Sequence, residues 1–162
     1  MNTSVIRWLL AVWLLLGNAV AQASTEDEAV RQVILQTMRA VAEFAATRDR
    51  QAVLRLYAAD YSGFQDGEAE TLDAVRAWLG EYEDLLAQGS AVRYAGDITD
   101  LTLRVSETTA WATYRYVFQV LSAGQVQGED KGLCTNILRK EATGWVIQHE
   151  HCSQGRRAQG GR

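Results

Sequence analysis

The hydrophobic periodicity of this chain changes near Ala91, and that change limits the folds open to it. Before Ala91, apart from a short stretch at Tyr61–Gln65, apolar residues recur at intervals of three and four, which is the spacing of amphipathic helices. After it, apolar and polar residues alternate over long runs, as in strands that bury one face. Helices first and adjacent strands afterwards predict an α+β fold in which helices pack on an antiparallel sheet.

The first half of the chain predicts three helices. A capping box formed by Thr25 and Glu28 predicts the start of the first helix. A short second helix is expected over Gln51–Ala58. The third is expected over Asp73–Ala87, where Gly89 stops it. The apolar face of the first helix consists of Val30, Val33, Ile34, Met38, Val41 and Ala45.

The strands begin with a short one at Tyr61–Gln65. The dipeptide Asp66-Gly67 follows it, and Asp-Gly is strongly typical of a two-residue hairpin turn. We expect the three helices and a strongly curved sheet to enclose a cone-shaped cavity. The long strands are expected over Val92–Glu107, Thr109–Leu121, Glu129–Lys140 and Trp145–Ser153.

The N-terminal residues 1–23 have the pattern of a secretory signal peptide. Arg7 precedes the apolar run Trp8–Leu16, and small residues follow up to Ala19, Ala21 and Ala23. The run is shorter than the ~20 apolar residues that span a bilayer. We therefore expect export to the periplasm or the medium, with no stable membrane insertion after the signal is removed.

A single domain is expected over residues 24–153, followed by a disordered basic tail over residues 154–162. The chain has 16 Lys and Arg against 20 Asp and Glu, and three of the arginines lie in that tail. The domain itself is therefore acidic. Nucleic-acid binding depends largely on Lys and Arg at phosphates, so no nucleic-acid partner is expected.

Both histidines of the chain lie in the last strand. If that strand alternates regularly, Trp145, Ile147, His149, His151 and Ser153 share one face. Such a face is apolar at one end and polar at the other. The pattern predicts a strand that lines a pocket.

Three roles are open for His149 and His151. Imidazole titrates near neutral pH, so either residue could be a general acid or base. Two imidazoles two residues apart could share a metal ion with Cys134 as a further ligand. Both could instead be polar lining that contacts a ligand or packs against neighbours. We predict neither a metal nor a cofactor.

The pairing of the two cysteines depends on the register of the last hairpin. A three-residue loop places Cys134 opposite Cys152, at a spacing that a disulfide accepts. A four-residue loop instead pairs Cys134 with His151 and Asn136 with His149. Disulfides are permitted in an exported protein. The sequence leaves both registers open.

Aromatic residues share one face of the strand over Thr109–Leu121. Together with aromatic residues of the third helix and the last strand, they could form a cup for a flat apolar ligand. An ordinary core or a dimer interface is the alternative. The candidate ligand-binding residues are Trp78, Tyr82, Tyr114, Tyr116, Asn136, Trp145, His149 and His151.

The order helix, helix, small hairpin, helix and four long strands resembles the nuclear-transport-factor-2-like superfamily, and the motifs are most similar to its SnoaL-like branch. Two stretches carry the resemblance. They are LYAADYSGFQDG (Leu56–Gly67) and LRKEATGWVIQHEHCS (Leu138–Ser153), which contains Gly-Trp and His-x-His-x-Ser. The resemblance implies a cystatin-like roll over Thr25–Ser153 and a homodimer formed through the outer face of the sheet.

The superfamily includes ketosteroid isomerases, and their catalytic pattern is mostly missing here. The helix-one tyrosine has no counterpart near Met38, and the second aspartate falls near Thr135. Only Asp66 lies near the position of the catalytic base. An Asp-Gly turn explains Asp66 without any chemistry.

The leading prediction is an exported SnoaL-like protein that binds a small, partly apolar molecule in a conical pocket. The enzyme alternative is a cofactor-free cyclase, isomerase or dehydratase that uses a pocket histidine. A third possibility is a non-catalytic dimerisation module whose own aromatic side chains fill the cavity.

Overall fold

The computed structural model describes residues 3–155, and it describes side chains over residues 25–155. The predicted signal peptide and most of the predicted tail therefore lie outside the residues described in full. Within the described residues, no helix is long and apolar enough to cross a membrane. The helices are α1 (Thr3–Thr47), α2 (Arg50–Leu54) and α3 (Leu72–Ala87).

Two helix boundaries differ from the prediction. α1 runs through Thr25, because the residues before Thr25 also favour a helix and include no proline. α2 is only five residues long and is capped by the side chain of Asp49, which accepts from the backbone N–H of Ala52. The chain is already extended at Tyr57, inside the range predicted as helix.

Six strands form one open sheet in the order β2-β1-β6-β5-β4-β3. The α+β prediction is confirmed, and every strand pair is antiparallel except β1 with β6, which is parallel. The strands are β1 (Tyr57–Gln65), β2 (Glu68–Thr71), β3 (Val92–Val105), β4 (Thr109–Ser122), β5 (Gln125–Glu141) and β6 (Gly144–Gln154).

α1 and α3 cover the concave face of this sheet. Ile34 and Phe44 of α1 and Leu79 of α3 are fully buried there. Tyr82 of α3 packs against Phe44, with ring centroids 5.5 Å apart. The apolar stripes of the two helices thus form the core that closes the concave side of the sheet.

The predicted Asp-Gly turn joins β1 to β2. Asp66 and Gly67 have φ values of 52° and 93°, as a two-residue hairpin turn with two left-handed positions requires. The Asp66 backbone N–H donates to the Cys152 carbonyl at 3.0 Å, and Asp66 Oδ1 accepts from the Gln154 N–H at 2.7 Å. Asp66 therefore fastens the hairpin to the end of β6, which includes the first residue of the predicted tail.

The hairpin of β5 and β6 contains a bulge that the sequence did not reveal. Glu141 pairs with Gly144 at the turn, and Leu138 still pairs with Ile147 in that register. Ile137 then pairs with His149, so the residue between Ile147 and His149 has no partner on β5. A bulge of this kind shifts every later pairing by one residue.

That shift reverses the faces of β6. Ile147 points to the concave side and is fully buried. Beyond the bulge, Cys152 is buried on the concave side, whereas His151 is exposed. The prediction that the histidines share a face with Ile147 is therefore wrong, because a single extra residue exchanges the two faces of a strand.

Candidate functional site

A cavity of about 330 Å³ lies between α1, α3 and the concave face of the sheet. Thr37, Met38 and Val41 of α1 form one wall, and Trp78 of α3 forms another. The strands complete it with Tyr57, Gln65, Glu70, Tyr114, Tyr116, Phe118, Asp130, Cys134, Glu150 and Cys152. Most of this wall is apolar or aromatic, and its acidic groups come from β2, β5 and β6.

Three of the predicted ligand-binding residues line this cavity, namely Trp78, Tyr114 and Tyr116. Tyr82 does not, because it is buried behind Trp78 with its hydroxyl donating to the Val92 carbonyl at 3.2 Å. The aromatic cup is thus narrower than the sequence indicates.

Trp145 and Asn136 also lie outside the lining. Trp145 is buried at the opposite end of β6, where its Nε1 donates to Glu26 Oε2 at 2.7 Å. Asn136 is fully buried behind the wall, and its Nδ2 donates to Glu150 Oε2 at 2.7 Å. Asn136 therefore holds the side chain of the lining residue Glu150 from behind the wall.

His149 and His151 do not line the cavity. His149 Nδ1 lies 3.0 Å from Ser62 Oγ on β1. Both imidazoles flank Phe64, with ring centroids 6.2 Å and 6.3 Å from that ring. The bulge before His149 is the physical reason, since it turns both side chains to the outer side of the sheet.

Asp66 is not a lining residue either. Its carboxylate accepts from the backbone of Gln154, as described above, and its position is explained by the hairpin turn. The structure therefore brings none of the three predicted acid–base residues to the cavity wall.

Glu150 lines the cavity at the end of β6 where the sequence pattern predicts the histidines. Its carboxyl accepts from Asn136 Nδ2 at 2.7 Å and, in a longer contact, from the Tyr114 hydroxyl at 3.4 Å. Removal from bulk water raises the pKa of Glu150, and the negative charge of Glu70 raises it further, against the opposing effect of the two donors. We call Glu150, Asn136 and Tyr114 the Glu150 cluster.

Two further acidic residues face the cavity, and each accepts a hydrogen bond from a tyrosine hydroxyl. The Tyr61 hydroxyl donates to Glu70 Oε2 at 2.8 Å, and the Tyr116 hydroxyl donates to Asp130 Oδ2 at 3.1 Å. Burial raises the pKa of Tyr61, and burial with the nearby Asp130 charge raises the pKa of Tyr116 to about 12. These phenols stay protonated and act as donors.

The sequence did contain a signal for Glu150. If Cys134 and Cys152 are paired on the concave side, the residue two positions before Cys152 must lie on that side too. The same register places Glu150 opposite Asn136. A disulfide between Cys134 and Cys152 thus predicts that Glu150, and not His149 or His151, faces the concave side.

The described side chains include no group of three or more His, Cys, Asp or Glu residues arranged to hold a metal ion. The cavity wall forms an apolar chamber with hydrogen-bonding groups concentrated on the strands. Such an arrangement can bind and orient a small organic molecule.

The sequence profile of the SnoaL-like domain matches residues 34–156 of this chain. That range contains every residue that lines the cavity and all six strands of the sheet. Among proteins of curated function, no relative was found.

Solved structures of low sequence identity share the fold. An NTF2-like protein with a cystatin-like fold from Novosphingobium aromaticivorans superimposes with a TM-score of 0.65 at 19% identity, covering 89% of each chain. A protein of unknown function from Mycobacterium tuberculosis gives 0.66 at 20% identity, covering 86% of this chain and 77% of its own. An NTF2-like protein of unknown function from Pseudomonas putida gives 0.59 at 19% identity, with coverages of 85% and 91%.

Proposed function

Because the chain belongs to the SnoaL-like domain family, we propose that it binds a small, partly apolar molecule in the cavity between α1 and the sheet. The Glu150 cluster is the polar anchor of this site. One observation carries the proposal. A carboxyl group with a raised pKa, held by Asn136 and Tyr114, lines a chamber whose other walls are mostly apolar.

The size and lining of the chamber support a small ligand. Its volume of about 330 Å³ is at the lower end of ligand pockets, which span roughly 300–1,000 Å³. Trp78 and Phe118 offer flat apolar surfaces. A carboxyl group accepts hydrogen bonds, and in its protonated form it also donates one, so Glu150 can pair with a hydroxyl or carbonyl group of a ligand.

The test is to fill the chamber. We expect native mass spectrometry of the wild-type protein, purified from its exported compartment, to detect a bound molecule. Val41→Phe should remove that mass, because Val41 lines the cavity. Val126→Phe is the matched control, since Val126 is 51% exposed on β5 and lies outside the lining. A bound mass that survives Val41→Phe would contradict the proposal.

Proton transfer at Glu150 is the second candidate function, and the raised pKa of Glu150 favours it. A carboxyl group with a raised pKa exchanges protons more readily near neutral pH. The reaction class would be the cofactor-free isomerase, dehydratase or cyclase chemistry predicted from the sequence, with Glu150 in place of a histidine.

Deuterium exchange would test this second candidate. The α-protons of 1-indanone, a small aromatic ketone, should exchange with D₂O faster in the presence of the protein. Glu150→Gln should abolish the acceleration, because the amide cannot take up the proton. The variant should still bind the ketone. Equal exchange rates with and without wild-type protein would leave binding as the only function of the site.

We also propose that the chain is exported and forms a homodimer. The disulfide between Cys134 and Cys152 is consistent with an oxidising compartment. Mass spectrometry of the exported protein should give a chain that begins at Ser24, after the predicted cleavage. An uncleaved N-terminus would contradict the export proposal.

The dimer would form on what we call the outer face, the side of the sheet opposite the helices. Its exposed apolar residues lie on neighbouring strands, and the second copy is the partner we propose. Trp111 pairs with Ile137, which pairs with His149. The large exposed apolar residues of the outer face are Phe64, Trp111, Leu133 and Ile137, with exposures of 40–52%.

A further inference from the structure

We infer that the cavity selects small aromatic amines, in which an apolar ring carries a protonated nitrogen. This inference rests on the proposed ligand-binding function and names the chemical class of the ligand. It comes from the acidic side chains on the wall, from the aromatic rings beside them and from a surplus of hydrogen-bond acceptors.

The charge of the wall has one sign. Glu70, Asp130 and Glu150 all line the cavity, whereas none of the described lining residues is Lys, Arg or His. An anionic ligand would meet acidic groups without a compensating cation. Burial of such a ligand would be strongly unfavourable, so the electrostatics exclude carboxylates and phosphates and favour a cation.

The acidic groups still have free acceptor sites. An ionised carboxylate offers about four lone-pair sites, and Glu70 and Asp130 each accept one hydrogen bond from a tyrosine. An ammonium group supplies three N–H donors and no acceptor. It is therefore the ligand group that best complements these side chains.

The Glu150 cluster also has more acceptors than donors. Asn136 Oδ1 is fully buried and has no hydrogen-bond partner among the described residues, while its Nδ2 donates to Glu150. Asn136 lies behind the wall, so the carboxyl of Glu150 is the acceptor that this cluster presents to the cavity. A ligand that brings donors can pair with that carboxyl, whereas a ligand that brings only acceptors cannot pair with its ionised form.

The apolar part of the wall suits the same ligand. Trp78, Tyr57 and Phe118 line the cavity together with the acidic residues. Aromatic faces attract cations within about 6 Å, and they also pack against flat rings. An amine on a ring would use both properties at once.

Cation binding should be coupled to the protonation of Glu150. Its pKa is raised by burial and by the charge of Glu70, and a bound ammonium would favour the ionised carboxylate again. Amine affinity should therefore increase as the pH rises toward neutrality. The groups that face Glu150 are Glu70 on β2, Tyr57 and Tyr61 on β1, Tyr114 on β4 and Asn136 on β5; the α1 lining residues do not titrate.

The test compares three ligands with the same ring, namely 2-aminoindane, 2-indanol and indane-2-carboxylate. Isothermal titration calorimetry at pH 7.5 and 5.5 measures their affinities for the full mature protein. At pH 7.5 we expect the amine to bind about tenfold more tightly than the alcohol, from one charge-assisted contact, and the carboxylate to bind least. The advantage of the amine should shrink at pH 5.5.

Glu70→Gln removes one charge and should reduce the preference for the amine without loss of alcohol binding. Glu68→Gln is the matched control, because Glu68 is exposed on the same strand and outside the lining. It should keep the wild-type preference. Alcohol binding to both variants reports that the cavity is intact.

The outcomes separate the two proposals. If the alcohol binds as tightly as the amine, or the carboxylate binds most tightly, the amine inference is overturned and the ligand-binding function stands. If none of the three binds, both are overturned. An amine preference that Glu70→Gln leaves unchanged also overturns the inference, because the acidic wall would then not be its source.

Discussion

Cys134 and Cys152 form a disulfide across β5 and β6, with their Cα atoms 4.2 Å apart, although the strands leave their turn in a different register. Beyond the bulge after Ile147, the two residues lie opposite each other. Both cysteines also line the cavity. The disulfide therefore fixes the strand that presents Glu150.

Loss of the disulfide should lower the stability of the fold. Cys134→Ala combined with Cys152→Ala removes a cross-link between residues 18 apart, and such a loop contributes about 3 kcal/mol to the free energy of unfolding. Urea denaturation with and without a reducing agent measures the change. The chain has only these two cysteines, so a reducing agent should not affect the double variant, and an effect there would contradict this explanation.

Deletion of Gln148 should leave the disulfide in place. The pairs Leu138–Ile147 and Ile137–His149 would become successive, and Cys134 would still face Cys152. Stability should fall, because β1 pairs with β6 across the same irregular region. Alkylation followed by mass spectrometry measures the number of free thiols, and none is expected in this variant.

An alanine inserted between Glu150 and His151 is the control for that deletion. It moves Cys152 opposite Leu133, whose side chain is on the outer face, so this variant should have two free thiols. Free thiols in the deletion variant would mean that the bulge itself is required for the cysteine pairing.

Glu150 should make stability depend on pH in the sense opposite to that of most carboxylates. Its pKa in the folded state is raised above the ordinary value of 4.5, so the folded state binds more protons than the unfolded state at pH values between the two pKa values. The free energy of unfolding of the wild-type protein therefore falls as the pH rises from the unfolded pKa through the folded pKa. Glu150→Gln removes this loss. Urea unfolding of both proteins from pH 4 to pH 8 should give a stability difference that increasingly favours the variant.

Glu68→Gln serves as the reference, because Glu68 is exposed on β2. We expect its stability to follow that of the wild type at each pH. A constant difference between wild type and Glu150→Gln would show that the pKa of Glu150 is not raised by folding.

Charge on the outer face should dissociate the proposed dimer. Leu133→Lys and Ile137→Lys place an ammonium group on residues that are 52% and 40% exposed. If the dimer buries them, the unpaired charges disfavour association and the folded monomer should accumulate. Light scattering coupled to size-exclusion chromatography measures the mass. Leu85→Lys, at a residue 44% exposed on α3, should leave the mass unchanged, and a wild-type monomer would contradict the dimer.

Local patterns predicted much of the fold. The Asp66-Gly67 turn, the apolar face of α1 and the four long strands follow from turn chemistry and from periods of 3.6 and 2 residues. The prediction for the start of α1 at Thr25 was wrong, because a capping box competes with helix-forming residues on its N-terminal side.

The candidate site was predicted only in part. Trp78, Tyr114 and Tyr116 were found because they belong to regular helix and strand patterns that the structure preserves. The prediction placed His149 on the cavity side and Glu150 on the outer side, because it assumed regular alternation through Gln148. The structure has the reverse arrangement. No local property of Gln148 marks it as a bulge.

The sequence by itself thus determined the order of the elements, the main turn and which residue types could meet, since these depend on neighbours along the chain. Only the tertiary structure decided which face of β6 lines the cavity. The face to which each β6 side chain points depends on the register of β6 with both of its neighbours, because β6 pairs with β1 and β5 at once. That requirement places the bulge at Gln148, and with it Glu150 inside the cavity and the histidines outside.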